Sequence, residues 1–306
     1  MGLFSSKSAE RNAARILEQD AKIQKLREQR DKIRDTRDRL QFQLREAQET
    51  LGDLQLDHQK LWAEHFGKVY NLATPPRDIV AHIAHRRDAD FDDGLHMLIT
   101  GYMAAQRLGR IVRDEQVSGG VHRVLDFGCG CARVTRFLDC LGEGEVELFG
   151  CDIDKSAIDW CNGELAGTGR YFVNGDRPPM PDDLPQFDVI TVLSVFTHLP
   201  EDMQFEWLRA LGGKLRKGGL MLATVHGPSF QRFVPDAQRS EYMEKGFCYT
   251  DLGKTPDLPD YYLSTFHTHA YVNERWSKEG FRVRKIIEQA VPQATVRQDV
   301  VVLEKE

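Results

Sequence analysis

Val124 to Leu138 reads VLDFGCGCARVTRFL, and the reading of this stretch decides the fold. Val124 and Leu125 open a short apolar run that reads as a buried strand and ends in an acidic residue, Asp126. Gly128 and Gly130 form a turn, after which Val134, Phe137 and Leu138 carry a helical spacing. A strand, a glycine loop and a helix start together bring backbone amides close to a bound group where side chains would block it. The nicotinamide fingerprint wants a third glycine at the helix-packing position, and Arg133 stands there instead.

Further strands follow at regular intervals. Glu147 to Cys151 reads as a second strand and ends in Asp152, where a carboxylate is placed to accept ribose hydroxyl protons. Phe172 to Asn174 reads as a third strand and Phe187 to Leu193 as a fourth, which runs into Ser194-Val195-Phe196-Thr197-His198-Leu199. Leu211 to Gly219 reads as a helix and a tight turn before a fifth strand, Leu220 to Val225.

This order resembles the class I S-adenosylmethionine-dependent methyltransferases over roughly Val121 to Gly227. The resemblance implies an α/β, Rossmann-like, seven-stranded mostly parallel sheet with S-adenosyl-L-methionine as cofactor. It implies that Asp126 helps bind the methionine part, with Gly128, Cys129 and Gly130 as the loop, and that Asp152 takes the ribose. Ile153 would then pack on adenine, Asn174 or Asp176 would meet the adenine amino edge, and Ser194 joins the cofactor-binding set.

Methyl transfer to a hydroxyl needs alignment, exclusion of water and a base. His198 past the fourth strand and His226 at the end of the fifth are the candidate catalytic residues, since histidine titrates near neutrality. Families that methylate planar amino groups carry Asn or Asp, two prolines and an aromatic after strand four; Leu193-Ser194-Val195-Phe196 stands here, which argues against such acceptors. A looser resemblance over Pro75 to Leu303, to bacterial methyltransferases of sugars, polysaccharides and secondary metabolites, implies O-methylation of a glycan or small-molecule acceptor. The competing reading is a coiled-coil scaffold whose methyltransferase-like domain binds the cofactor without turnover.

The flanking regions have a different character. From Ala9 to Phe66 the chain is charged, free of proline and has one glycine. A heptad counted from Ile16 places ten apolar residues among fourteen seam positions, with Gln19, Arg30, Arg37 and His58 as the polar exceptions. A helix of about 75 Å cannot fold back usefully on a small domain, so residues 1–67 are expected to form a coiled coil that makes a homo-oligomer. Residues 68–115 read as a helical linker that covers the cofactor, with Phe91, His96, Tyr102 and Met103 as possible lining. The methyltransferase domain then spans 116–306. Within it, residues 229–270 are aromatic and polar with little period and read as a substrate-covering insertion, because binding surfaces tend to be loops over a rigid scaffold. Phe281 to Ile287 and Val296 to Leu303 alternate like a closing antiparallel pair.

The 306 residues carry a net charge of -6, which argues against a broad nucleic-acid-binding surface. No apolar run is long enough to span a membrane. Six cysteines without a CxxC pair read as reduced thiols, which fits a cytoplasmic protein. Cys129 and Cys131 lack a second ligand pair at zinc spacing, and His226, His267 and His269 lack an accompanying carboxylate cluster, so no metal is expected.

Overall fold

The computed structural model describes residues 70–83, 94–252, 259–293 and 296–306. The heptad region and Phe91 lie outside the described residues, as does the side chain of His96.

Two helices come first, α1 (Arg77–Ile83) and α2 (Gly94–Glu115). The central sheet then assembles from β1 (Arg123–Phe127), β2 (Glu147–Asp152), β3 (Arg170–Val173), β4 (Phe187–Val192) and β5 (Leu215–Val225). The last two strands, β8 (Phe281–Gln293) and β9 (Val296–Lys305), close it, giving the order β3-β2-β1-β4-β5-β9-β8. β1 to β5 pair in parallel, while β9 runs antiparallel to both β5 and β8. The chain order reverses between β1 and β4, and in open α/β sheets that switch point opens a ligand crevice at the carboxyl ends of the strands.

Helices α3 (Lys155–Glu164) and α4 (Glu201–Lys214) connect the parallel strands. Asp154 caps α3 by accepting from the Ser156 and Ala157 amides. α4 buries Met203, Trp207, Leu208 and Leu211, one face at helical spacing, and Trp207 packs 4.6 Å from the Phe127 ring of β1. All six residues of β4 are buried, as expected for a strand covered on both faces. α2 lies close on the glycine loop because Gly101 has no side chain: a Cβ there would sit 2.1 Å from the Arg133 carbonyl oxygen.

Three expectations change. The helix after the glycine loop is a 3₁₀ helix, Thr135–Leu141, and it begins only past Ala132, whose left-handed conformation (φ 55°) has no place in a right-handed helix. The tight turn before the fifth strand is absorbed into β5, which begins at Leu215, pairs with Phe187, and shifts register between Phe187 and Val189. The insertion is ordered locally where described: a 3₁₀ turn at Pro228–Phe233, helix α5 (Asp236–Lys245), and a separate two-stranded sheet of β6 (Phe247–Thr250) and β7 (Ser264–His267). A last helix, α6 (His269–Arg275), is capped by Thr268 and leads to β8.

Asp188 in β4 ties the lower edge of the sheet. Its Oδ2 accepts from the His122 and Arg123 amides, both at 2.8 Å, and its Oδ1 accepts from Arg216. Burial alone would raise this carboxyl, but Arg216 and the two amides outweigh it and hold it below the usual value. Its contribution is therefore present above the ordinary aspartate range and is lost as acid protonates it. Asp188→Ala leaves two amides and a guanidinium without their acceptor; the expected loss is about 2–3 kcal/mol at neutral pH. Chemical denaturation at pH 7 and pH 3 checks this, with a smaller difference between variant and native chain at the lower pH.

Candidate active site

The loop after β1 folds down on the end of β2. Gly128 and Cys129 donate their amides to the Cys151 carbonyl at 2.8 and 3.0 Å. Gly130 donates to Asp152 Oδ2 at 2.8 Å, and Asp154 donates its amide to Asp152 Oδ1 at 2.9 Å. One carboxylate at the tip of β2 thus joins the glycine loop to the start of α3. Burial pushes its pKa up, and the amides of Asp154 and Gly130 oppose that. A carboxylate offers about four acceptor positions, so hydroxyl protons from a ligand can still be received.

Asp126 lies deeper, 3% exposed. Thr135 donates to its Oδ2 at 2.6 Å and Thr191 to its Oδ1 at 2.7 Å. Each oxygen is engaged once from within the fold, and acceptor positions remain as they do on Asp152. Asp126 also ties the loop's far end to β4. Burial is the main cause of its raised pKa, partly offset by the two threonines.

Past β3, the Asn174 amide donates to the Asp152 carbonyl at 3.1 Å, and its Nδ2 donates to the Gly175 carbonyl at 2.7 Å. Its Oδ1 is buried without a hydrogen-bond partner. Leaving a buried acceptor unmatched costs about 1–3 kcal/mol, so this atom is suited to a donor brought by a ligand. Asp176, the alternative, is exposed, and its backbone carbonyl accepts from Trp207 Nε1 at 3.2 Å. Ile153 follows Asp152 with 39% of its surface exposed, an apolar face beside the carboxylate.

The two histidines meet at the ends of β4 and β5, their ring centroids 6.1 Å apart and edge to face. Residues 263–267 of the insertion hold them. The Leu263, Thr265 and His267 amides donate to the carbonyls of His198, Thr197 and His226 at 3.2, 2.8 and 2.9 Å. In return the Leu263 carbonyl lies 2.9 Å from His198 Nδ1, and the Thr265 carbonyl 3.0 Å from His226 Nδ1. A carbonyl only accepts, so both rings carry their proton on Nδ1. Tyr262 stacks on His198 at 4.2 Å and Phe230 on His226 at 4.3 Å. Burial, and then the charge of Asp152, push the Tyr262 phenol up, so this ring from the insertion sits within electrostatic reach of the second acid. Burial lowers His226 to about 4, against the opposing Thr265 bond, so its imidazole is neutral at physiological pH.

Several participants carry no sequence motif. Arg136 donates to the Asn71, Ala73, Ala132 and Cys131 carbonyls and so latches the segment before α1 onto the loop. Ser194 has φ 59°, donates its amide to Thr224 Oγ1 at 2.7 Å, and donates its hydroxyl to Gln298 Oε1 at 3.1 Å. Two buried polar residues, Gln298 and Asp299, interrupt the valine-rich β9, and that interruption is the signal that would have found them. Of the proposed lining, Tyr102 packs edge-on against Phe137 and Met103 is 55% exposed. His267 turns to Gln204 at 2.9 Å and His269 to Asp299 at 2.7 Å. No group of three or more metal-ligating side chains is gathered among the described residues.

Residues 125–221, from β1 into β5, match the family model of a methyltransferase domain. Solved structures with a similar chain course include an S-adenosylmethionine-dependent methyltransferase from Clostridium acetobutylicum (10% identity, 74% of this chain and 98% of that one, TM-score 0.49). Another is the magnesium protoporphyrin IX methyltransferase from Synechocystis (13% identity, 75% and 94%, TM-score 0.49). A third is the CcbJ methyltransferase from Streptomyces caelestis (16% identity, 67% and 95%, TM-score 0.48).

Gly128 has φ 78°, and a Cβ there would come 2.3 Å from Val195 Cγ2. Gly128→Ala is therefore expected to cost about 1–2 kcal/mol for the left-handed backbone, plus the clash. Adding Val195→Ala should recover the clash alone, so a thermal-melt comparison of the two single variants and the double variant separates the two terms.

Proposed function

We propose that the chain is an S-adenosylmethionine-dependent methyltransferase acting on a hydroxyl of a sugar, polysaccharide or small molecule. The match to a methyltransferase domain over 125–221 supports this, together with the strand order. The observation that carries the cofactor assignment is the juxtaposition of Asp152, the Gly130 amide and the unpartnered buried Oδ1 of Asn174. That set offers acceptors for ribose hydroxyls and for an exocyclic amine, the donors an adenosyl group presents. Gly128, Cys129 and Gly130 form the floor, Ile153 offers an apolar face for adenine, and Asp126 keeps the loop in place. Ser194 stands at the β4 end of the same crevice, and Asp176 lies at its rim.

The cofactor supplies a methyl group on a sulfonium: the new bond uses an oxygen lone pair, and the carbon–sulfur pair stays on sulfur. The chain's residues align and dry the acceptor. Tyr262 and Phe230 wall the histidines with aromatic surface, and each histidine has its Nδ1 tied to backbone, which leaves Nε2 as the basic nitrogen. His226 is neutral and so available to take a hydroxyl proton, with His198 beside it as the second candidate. The insertion serves as the acceptor cover, and the N-terminal 1–67 segment as a homo-oligomerising coiled coil; the protein works in the cytoplasm. No helix among the described residues is long and apolar enough to cross a membrane.

Calorimetric titration with S-adenosylmethionine tests the reading, paired with an assay for S-adenosylhomocysteine against pools of hydroxylated acceptors. The native chain is expected to bind and turn over. Asp152→Ala should weaken binding by about 1–3 kcal/mol, roughly 5- to 150-fold. Equal affinity in the variant removes the ribose assignment; binding without turnover on every pool favours the scaffold reading.

A further inference from the structure

At the carboxyl ends of β4 and β5 and the amino end of β9, a line of hydrogen bonds runs across three strands. Thr224 Oγ1 of β5 accepts the Ser194 amide, Ser194 Oγ donates to Gln298 Oε1, and Gln298 Nε2 lies 3.4 Å from His226 Nε2. The amide nitrogen of a glutamine only donates, so the facing His226 Nε2 is a lone pair. The Thr265 carbonyl demands the proton on Nδ1, and the two ends of the ring therefore agree on one neutral tautomer. The reverse orientation of the Gln298 amide would put its oxygen against Nε2 and call for a proton there as well. With Nδ1 already protonated that is an imidazolium, which burial disfavours.

Ser194 Oγ donates to Gln298 Oε1 in the orientation that the Thr265 carbonyl and this tautomer require, and it does so from a left-handed backbone that costs a non-glycine residue about 1–2 kcal/mol. Backbone strain of this kind persists where the surrounding structure over-determines it, and it collects at functional sites. Gln298 is 1% exposed, so its amide is held inside the fold with little solvent to reorient it.

We infer that Ser194 and Gln298 are a positioning pair that holds His226 as the Nδ1-protonated neutral imidazole: the Gln298 amide donates to the Nε2 lone pair, and the acceptor hydroxyl takes that place when it binds. The inference rests on His226 being the base of the proposed reaction. Around it the other titratable groups are His198, 6.1 Å away between ring centroids, and His267, whose own titration is lowered in part by His226. Asp299, the neighbour of Gln298 on β9, is bonded to His269 at 2.7 Å.

Long-range proton–nitrogen NMR of the full chain tests this without an identified acceptor, with His226→Asn used to assign the ring. The native His226 is expected as the Nδ1–H tautomer, titrating well below the ordinary histidine range. Gln298→Glu places a carboxylate against Nε2 and should raise its proton affinity at least tenfold. Ser194→Gly tolerates the left-handed backbone and removes the hydroxyl; it should give mixed tautomers or a raised titration. Where turnover is measurable, the acid limb of the rate profile should move upward with the NMR titration. An Nε2–H tautomer in the native chain overturns the inference. So does a His226 titration unmoved in Ser194→Gly, the variant that stands even where the glutamate fails to fold. Loss of cofactor binding in the native chain would remove the methyltransferase reading while leaving this tautomer result measurable on its own.

Discussion

The hydrogen bond from the Gly130 amide to Asp152 Oδ2, at 2.8 Å, is the contact on which the crevice depends. It fixes a backbone loop with almost no side-chain bulk against the one carboxylate at the tip of β2. The bonds to the Cys151 carbonyl and the anchoring of Asp126 by Thr135 and Thr191 act in the same direction. A loop tied at both ends costs little to order when a ligand arrives, because its conformational entropy is already spent in folding. The burial that raises Asp126 and Asp152 also makes their hydrogen bonds stronger than solvent-exposed ones would be.

The second constraint is the way residues 259–267 cross the ends of β4 and β5. Their amides and carbonyls pair with the backbone of residues 197, 198 and 226 and with both histidine rings, so a segment inserted between β5 and α6 becomes part of the sheet's functional end. Residues 263–267 and the two histidines are therefore one hydrogen-bonded unit. Tyr262 carries this unit to within electrostatic reach of Asp152.

The first three parallel strands were legible in sequence because each is a short apolar run with a polar residue at or beside its end: Asp126, Asp152, Asn174. Both glycines of the loop were legible for the same reason, since a tight turn has few alternatives. What sequence did not reveal depends on contacts between distant residues. Ala132 takes a left-handed conformation that delays the helix to Thr135, and no local preference of alanine predicts that. The hydrogen bonds that hold Asp126 come from the threonines at 135 and 191, nine and sixty-five positions away, and no local pattern announces them. The insertion hid its β6–β7 pair because its aromatic residues serve local packing and the histidine rings at once, which erases a clean alternation. Gln298 was visible only as a polar break in a valine-rich strand.

A crystal structure of the full chain grown with S-adenosylhomocysteine tests the central claim most directly. The account predicts ribose hydroxyls on Asp152, the adenine amino group on Asn174 Oδ1, and the sulfur end directed toward the edge shared by His198 and His226. Density for the compound elsewhere on the chain, or the Asn174 and Asp152 acceptors closed over by protein side chains in its presence, would contradict it.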